Sequence, residues 1–192
     1  MWVGLQFELP LLINTWRTEL RDSSLPVKII QLPGYSDYPK DSAALIRQVQ
    51  LKISLQIPNT DLVSFVDGGE EHNIHPTHKK KMGLRLGRII SGGDYAGTPF
   101  VKKLSYTHGE LKIEITRCEE LNLCGKAVLK LKFKPGTKEL EIKNDNLKKN
   151  CLYISLKTKD LLQVSYGYQN YPQDIGLYNE LGYPLSPFKI DI

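Results

Sequence analysis

Between Asp67 and Leu86 the chain gathers three carboxylates (Asp67, Glu70, Glu71), three histidines (His72, His75, His78) and three consecutive lysines. A histidine among carboxylates at the end of a strand is suited to proton transfer, and the pattern reads as the base-bearing part of a hydrolase site. The apolar run Leu62 to Phe65 predicts a strand just before it. Pro76 suits the first position of a following helix, because its missing N–H is one the helix leaves unpaired anyway. His75 then falls at the N-cap, where the positive end of the helix favours the neutral imidazole that accepts a proton from a nucleophile. Asp67, Glu70 and Glu71 are the candidate acids to orient its ring. A His-Pro pair before a helix is, in general, more often a cap than a base.

His72, His75 and His78 are spaced by three residues, as zinc ligands on one helix face are. Pro76 interrupts the helix between the first and last, and no fourth ligand accompanies them, so neither metal nor cofactor is expected. Gln31 and Tyr35 flank the turn Gln31-Leu-Pro-Gly-Tyr-Ser36. They are candidate substrate contacts, although Gln31 equally suits a polar strand end. Gly34-Tyr35-Ser36 lacks the full nucleophile elbow and reads as a loop that lines the site.

The elements that position these residues alternate. Leu9, Leu12, Ile13, Trp16 and Leu20 recur at helical spacing, with Trp16 expected in the core, and Val27 to Leu32 reads as a short buried strand closed by Pro33-Gly34. A second helix, capped by Asp41 or Ser42, runs to Pro58-Asn59, and a third is expected from Pro76 to Ile90, stopped by Gly92-Gly93. The order α-β-α-β-α predicts a parallel sheet covered by helices, with ligands at the carboxyl ends of the strands. That rule puts the loop after Gln31 and the loop from Asp67 to His75 on one rim. Arg17 and Arg85 are expected to pair with carboxylates structurally, and Lys79 to Lys81 to face solvent.

From residue 94 onward the period changes. Leu111, Ile113 and Ile115 alternate with polar residues, as do Leu129, Leu131 and Phe133, and Pro135-Gly136 marks a turn before Leu140. Cys151 to Leu156 and Leu162 to Tyr168 are further strands, and Tyr171 to Phe188 is too rich in Pro, Gly and Asn for regular structure. The expected organisation is therefore an α/β part over residues 1–93 and an antiparallel β-rich part with an irregular tail over 94–192. Two parallel strands are few for a doubly wound sheet, so a missing upstream segment is expected.

Net charge of +5 hints at nucleic acid, but Lys130, Lys132 and Lys134 alternate with apolar residues as the outer face of a strand does, and no recognition motif accompanies them. No apolar run is long enough for a membrane span, and the first residues lack the features of an export leader. Cys118, Cys124 and Cys151 form no C-x-x-C pair and are expected to be ordinary thiols, with a Cys118–Cys124 disulfide as the alternative in an exported protein. The compartment is left open.

Ile13-x-x-Trp16-Arg17, Ile30-Gln31-Leu32-Pro33, Leu45-Ile-Arg47-Gln48-x-Gln50, Pro58-Asn59-Thr60, Ile74-His75-Pro76-x-x-Lys79 and Gly83-x-Arg85-Leu86 follow one another in an order that resembles the sialate O-acetylesterase family. So does the ending Val164-Ser-Tyr-Gly-Tyr, Tyr171-Pro172, Leu177-Tyr-Asn179 and Gly182-Tyr-Pro184-x-x-Pro187-Phe188. The resemblance implies the C-terminal part of an SGNH-like parallel α/β/α sheet followed by an antiparallel β-rich region. It also implies removal of acetyl groups from sialic acids or other sugars, with His75 as base of a Ser-His or Ser-His-Asp site. The family's Gly-Gln-Ser-Asn-Met-like nucleophile segment is absent, so the serine must come from an N-terminal partner polypeptide or missing segment, and the chain by itself is expected to be inactive. SGNH esterases commonly place Asp three residues before the histidine, and this family often two before; His72 and Asn73 stand there instead. The alternative to an esterase part is a non-catalytic carbohydrate-binding or interaction module built from the β half.

Overall fold

The computed structural model describes residues 4–92, 97–134, 136–158 and 160–192. Its tertiary contacts divide the chain into two units, Met1–Gly93 with Gln169–Tyr171, and Asp94–Tyr168 with Pro172–Ile192.

The first unit runs α1 (Leu5–Glu19), β1 (Val27–Ile30), α2 (Ser42–Gln56), β2 (Thr60–Val63) and α3 (Lys80–Ile90). β1 and β2 are parallel, with Val27 beside Thr60 and Ile30 beside Val63. Two strands are the whole of this sheet among the described residues, so the broad parallel sheet implied by the sequence is not seen. Side chains alternate across a strand, and Ile29 and Leu62 share a buried cluster with Ile13 of α1 and Ile53 of α2. Each such side chain stabilises by about 1.5–3 kcal/mol on burial. Ile13 and Leu9 are the residues through which α1 packs; Trp16, expected in the core, is 45% exposed. The less exposed residues along α1 include Leu9, Pro10, Ile13 and Arg17, and Trp16 lies at the edge of the stripe they form.

α2 starts at Ser42, but neither expected cap uses its side chain to cap the helix. The Ser42 hydroxyl donates to Pro39 O instead. Along α2, Ala43, Arg47 and Ser54 are buried, a stripe that is small and polar. Arg47 is fully buried, and among the described residues no carboxylate pairs with it. Its guanidinium donates to four backbone carbonyls: Nε to Leu32 O (2.7 Å), Nη1 to Gln169 O (2.8 Å), and Nη2 to Pro33 O (2.9 Å) and Asn170 O (2.7 Å). Burial brings its pKa down to about 10, which still leaves it charged at neutral pH. Asn170 adds bonds from Ala43 N–H to its Oδ1 and from its Nδ2 to Tyr38 O. These bonds explain why three residues from late in the sequence belong to the first unit, a feature no local pattern announces.

In the second unit β3 (Phe100–Thr107), β4 (Glu110–Thr116), β8 (Cys151–Ser155) and β7 (Leu147–Lys148) form an antiparallel sheet in the order β3-β4-β8-β7. The other sheet holds β5 (Leu121–Phe133), β6 (Gly136–Glu141), β9 (Leu161–Tyr166), β10 (Ile175–Asn179) and β11 (Phe188–Asp191), with β5 between β10 and β9. Leu111, Ile113, Ile115, Leu129 and Leu131 are buried as their alternation predicts, and Lys130 and Lys132 are exposed. The tail departs from expectation: Ile175–Asn179 is a strand paired to β5. Asn179 is buried and its Oδ1 accepts from the Leu181 and Tyr183 N–H groups, so a turn closed on that side chain accounts for the Gly and Pro there. The turn assigned to Pro135-Gly136 lies partly outside the described residues at Pro135. All three cysteines are free thiols, and burial, with Glu180 next, pushes Cys118 up to about 12.

Replacing Arg47 with Leu removes the donors of four part-buried carbonyls. The expected cost is on the order of 3 kcal/mol or more. Urea denaturation followed through tryptophan fluorescence, both tryptophans lying within the first unit's residues, measures it; an unchanged midpoint would refute the assignment.

Candidate active site

β1 and β2 end on one rim, and their following loops are joined by backbone. Ser36 N–H donates to Glu71 O at 2.8 Å, and a Cβ on Gly69 would overlap the Gly34 carbonyl oxygen, so only glycine permits this approach. Ser64, just beyond β2, donates to Gln31 Oε1 at 2.7 Å. Gln31 is wholly buried and its Nε2 donates to Arg47 O, so it braces the rim from beneath.

His75 lies in the loop after β2 and is exposed. The helix expected from Pro76 begins at Lys80, and Lys79 is its cap, which corrects the placement of His75 at the N-cap. The delay has a local cause. Glu70 accepts from the Thr77 N–H (2.6 Å), the Thr77 hydroxyl (2.8 Å) and Asn73 Nδ2 (2.9 Å), and Asn73 Oδ1 accepts from His75 N–H. Residues 73 to 77 are thereby held in a bent, non-helical path. A helix dipole acts within its first turn, so it does not reach His75, five residues before the helix. Among the described residues no hydrogen bond or ion pair engages the His75 ring.

The three candidate acids are accounted for in other ways. Asp67 is 5% exposed in its side chain and forms a bidentate pair with Arg85, Nη1 to Oδ1 at 2.6 Å and Nη2 to Oδ2 at 2.8 Å, with Lys81 Nζ at 3.1 Å. Burial pushes its carboxyl up, but the hydrogen bonds and charge of Arg85 and Lys81 outweigh that and hold it below its usual 3.8. Arg85 behaves as expected, while Arg17 donates to the Leu25 and Pro58 carbonyls instead of to a carboxylate. Glu70 is held low by the Thr77 N–H first, then by the Thr77 hydroxyl and Asn73. Glu71 is exposed and joins the rim through its backbone.

A different histidine has a carboxylate. His72 Nδ1 lies 3.1 Å from Asp37 Oδ1, and both side chains are more than half exposed. Tyr35 packs edge-on against Tyr38 with centroids 5.0 Å apart, and its phenol is raised by burial and by Asp37. A cleft of about 540 Å³ opens after β2 between Phe65, Glu70, His78, Lys81 and Leu84. His78 lines it; His75 does not. Among the described residues no three His, Cys, Asp or Glu side chains converge as a metal site would require. Asp37 is a residue that sequence reading left out, and Arg47 and Gln50 entered it only through the family resemblance, with no role attached. For Arg47 the signal was present: a polar residue at the buried phase of α2.

No family model matches the chain, and no curated protein matches it. Among solved structures, a carbohydrate acetylesterase from Xanthomonas citri has the same fold over 98% of this chain, with a TM-score of 0.85 and 24% identity. The match takes in 46% of that enzyme's chain, so the present chain spans about half its length. No described helix is long and apolar enough to cross a membrane.

The Asp67–Arg85 pair generates a pH dependence of definite sign. A carboxyl whose folded pKa lies below 3.8 contributes stability that is present above that value and lost as pH falls through the folded one. Asp67→Asn leaves Arg85 buried without its counter-charge, at a cost of about 3 kcal/mol. The unfolding midpoint of the variant is expected to vary less with pH below about 4. Equal acid sensitivity in parent and variant would remove Asp67 from the account.

Proposed function

We propose that this chain is the histidine-bearing part of a carbohydrate O-acetylesterase. The carrying observation is the likeness of fold to a carbohydrate acetylesterase over nearly the whole chain, with His75 on the loop that follows β2. The substrate on this reading is an acetylated sugar, sialate-like in the sense of the family resemblance. The attacking alcohol is a serine from polypeptide outside these 192 residues.

The reaction is acyl transfer. The serine oxygen attacks the acetyl carbonyl while His75 takes its proton, and the tetrahedral adduct expels the sugar oxygen, which receives that proton back. Water then attacks the acetyl-enzyme with His75 again as base, releasing acetate and the free serine. The exposed His75 ring leaves both nitrogens open to such a partner. Asp67 and Glu70 are committed to Arg85 and Thr77, so the reading is a serine–histidine pair, without a carboxylate from the Asp67 to Glu71 segment on the ring. Asn73 fixes the His75 backbone at the place where the family often carries Asp.

Splicing residues 1–192 in place of the matched segment of the Xanthomonas enzyme gives a chain that should hydrolyse a chromogenic acetyl ester. His75→Ala in that chimera is expected to lower kcat by about 10³-fold or more, as loss of a general base does. His72→Ala is expected to leave kcat within about tenfold. A folded chimera in which His75→Ala keeps full turnover would end the proposal, as would one in which His72 carries the loss.

A further inference from the structure

The cleft after β2 has no part in the reaction proposed above, since His75 does not line it. It encloses about 540 Å³, within the range of small-molecule sites. Its wall is apolar. Phe65 and Leu84 face it together with the backbone of Gly68 and Gly69. Gly68 bears no side chain there for a steric reason: a Cβ would stand 1.8 Å from the Phe65 ring. Leu84, on α3, is 58% exposed at the mouth.

The polar groups around this wall are unevenly committed. Asp67 accepts from Arg85 and Lys81, and Glu70 from Thr77 and Asn73, so both carboxylates are turned to donors of the protein itself. Donors remain. Among the described residues Lys80 Nζ has no hydrogen-bond or ion-pair partner, and Lys81 engages Asp67 through one of its three protons. His78 donates from a ring nitrogen in either tautomer. Lys80, Lys81 and Arg85 also outnumber Asp67 and Glu70, which leaves the lining net positive.

A ligand matched to this lining has an anionic acceptor group on a body with few hydroxyls. A hydroxyl-rich ring needs acceptors for its protons, and each donor buried without one costs about 1–3 kcal/mol. A bare inorganic anion would leave the apolar wall uncovered. A flexible aliphatic acid loses more rotational freedom than a ring of similar area. We infer that the cleft binds an aromatic carboxylate, its ring against Leu84 and the Gly68–Gly69 backbone and its carboxylate on Lys80 and Lys81. The site is independent of the esterase reading, because it requires neither a serine nor an ester bond. It adjoins the histidine loop all the same, since Glu70 both lines the cleft and holds Thr77 and Asn73.

The test titrates 2-naphthoate into the intact 192-residue chain and follows the Leu84 methyl and His78 ring signals by NMR. A Kd of about 1 mM or below is expected, with shifts centred on the cleft. Binding should be about tenfold tighter than that of 2-naphthalenemethanol, which lacks the charge, of glucuronate, whose ring carries hydroxyls, and of octanoate, which lacks the ring. Lys80→Ala should weaken naphthoate about threefold or more, and Lys80→Arg should restore it. Leu84→Asp should weaken it about tenfold or more. Both residues are exposed, so the fold tolerates these changes. Absence of binding, equal binding of the alcohol, the sugar acid or octanoate, shifts centred elsewhere, or Lys80→Ala and Leu84→Asp variants that bind as the parent does would each overturn the proposal. None of these results touches the esterase reading, which stands or falls with His75 in the chimera.

Discussion

The Arg47 guanidinium is the interaction on which the first unit depends. A buried cation is costly unless its donors are satisfied, and here four carbonyl oxygens from two distant stretches of chain satisfy them. One pair comes from the turn after β1, the other from Gln169 and Asn170. The cation thus fixes the start of the loop that carries Tyr35 and Asp37. That loop, in turn, meets the histidine loop through Ser36 and the Gly34–Gly69 approach. A carboxylate partner would have neutralised the charge but tied nothing together. Carbonyls have fixed positions on the backbone, so the same bonds that repay desolvation also shape the rim.

A second buried cation does comparable work on the other loop. Arg85 of α3 reaches Asp67 and the Ser64 carbonyl, which anchors a helix whose other side chains are at least partly exposed. With Glu70 binding Thr77 and Asn73 binding the His75 backbone, the histidine loop is held by polar bonds and little apolar packing. Polar bonds of this kind set direction where dispersion contacts do not, which suits a loop that must present one imidazole outward.

Much of the fold was legible because it depends on short-range periodicity. The parallel pair, the three helices and the strands with Leu111, Leu129 and Cys151 all follow from spacing alone. What failed depended on partners that helical or strand spacing does not report. Trp16 has helical spacing, yet its exposure is set by which stripe of α1 meets Ile29 and Ile53. The start of α3 is set by Glu70 capturing Thr77, seven residues away, and Pro76 alone does not reveal it. Ile175–Asn179 reads as irregular because Gly176 and the flanking prolines dominate local propensity, whereas pairing with β5 decides its conformation. The resemblance that singled out Leu45 to Gln50 and Ile74 to Lys79 marked segments whose polar residues turn out to organise the rim. It did not indicate which residue touches which.

The return of Gln169–Tyr171 to the first unit has a consequence for how this polypeptide can be divided. Cutting after residue 93 would look natural from composition, yet the shorter product would lack two of the four acceptors around Arg47 and the Asn170 side chain on α2. The first half is then not a self-sufficient cassette that recombination could shuffle freely. A lineage that exchanged the β region for another would have to bring along a matching three-residue tether, or give up the arginine.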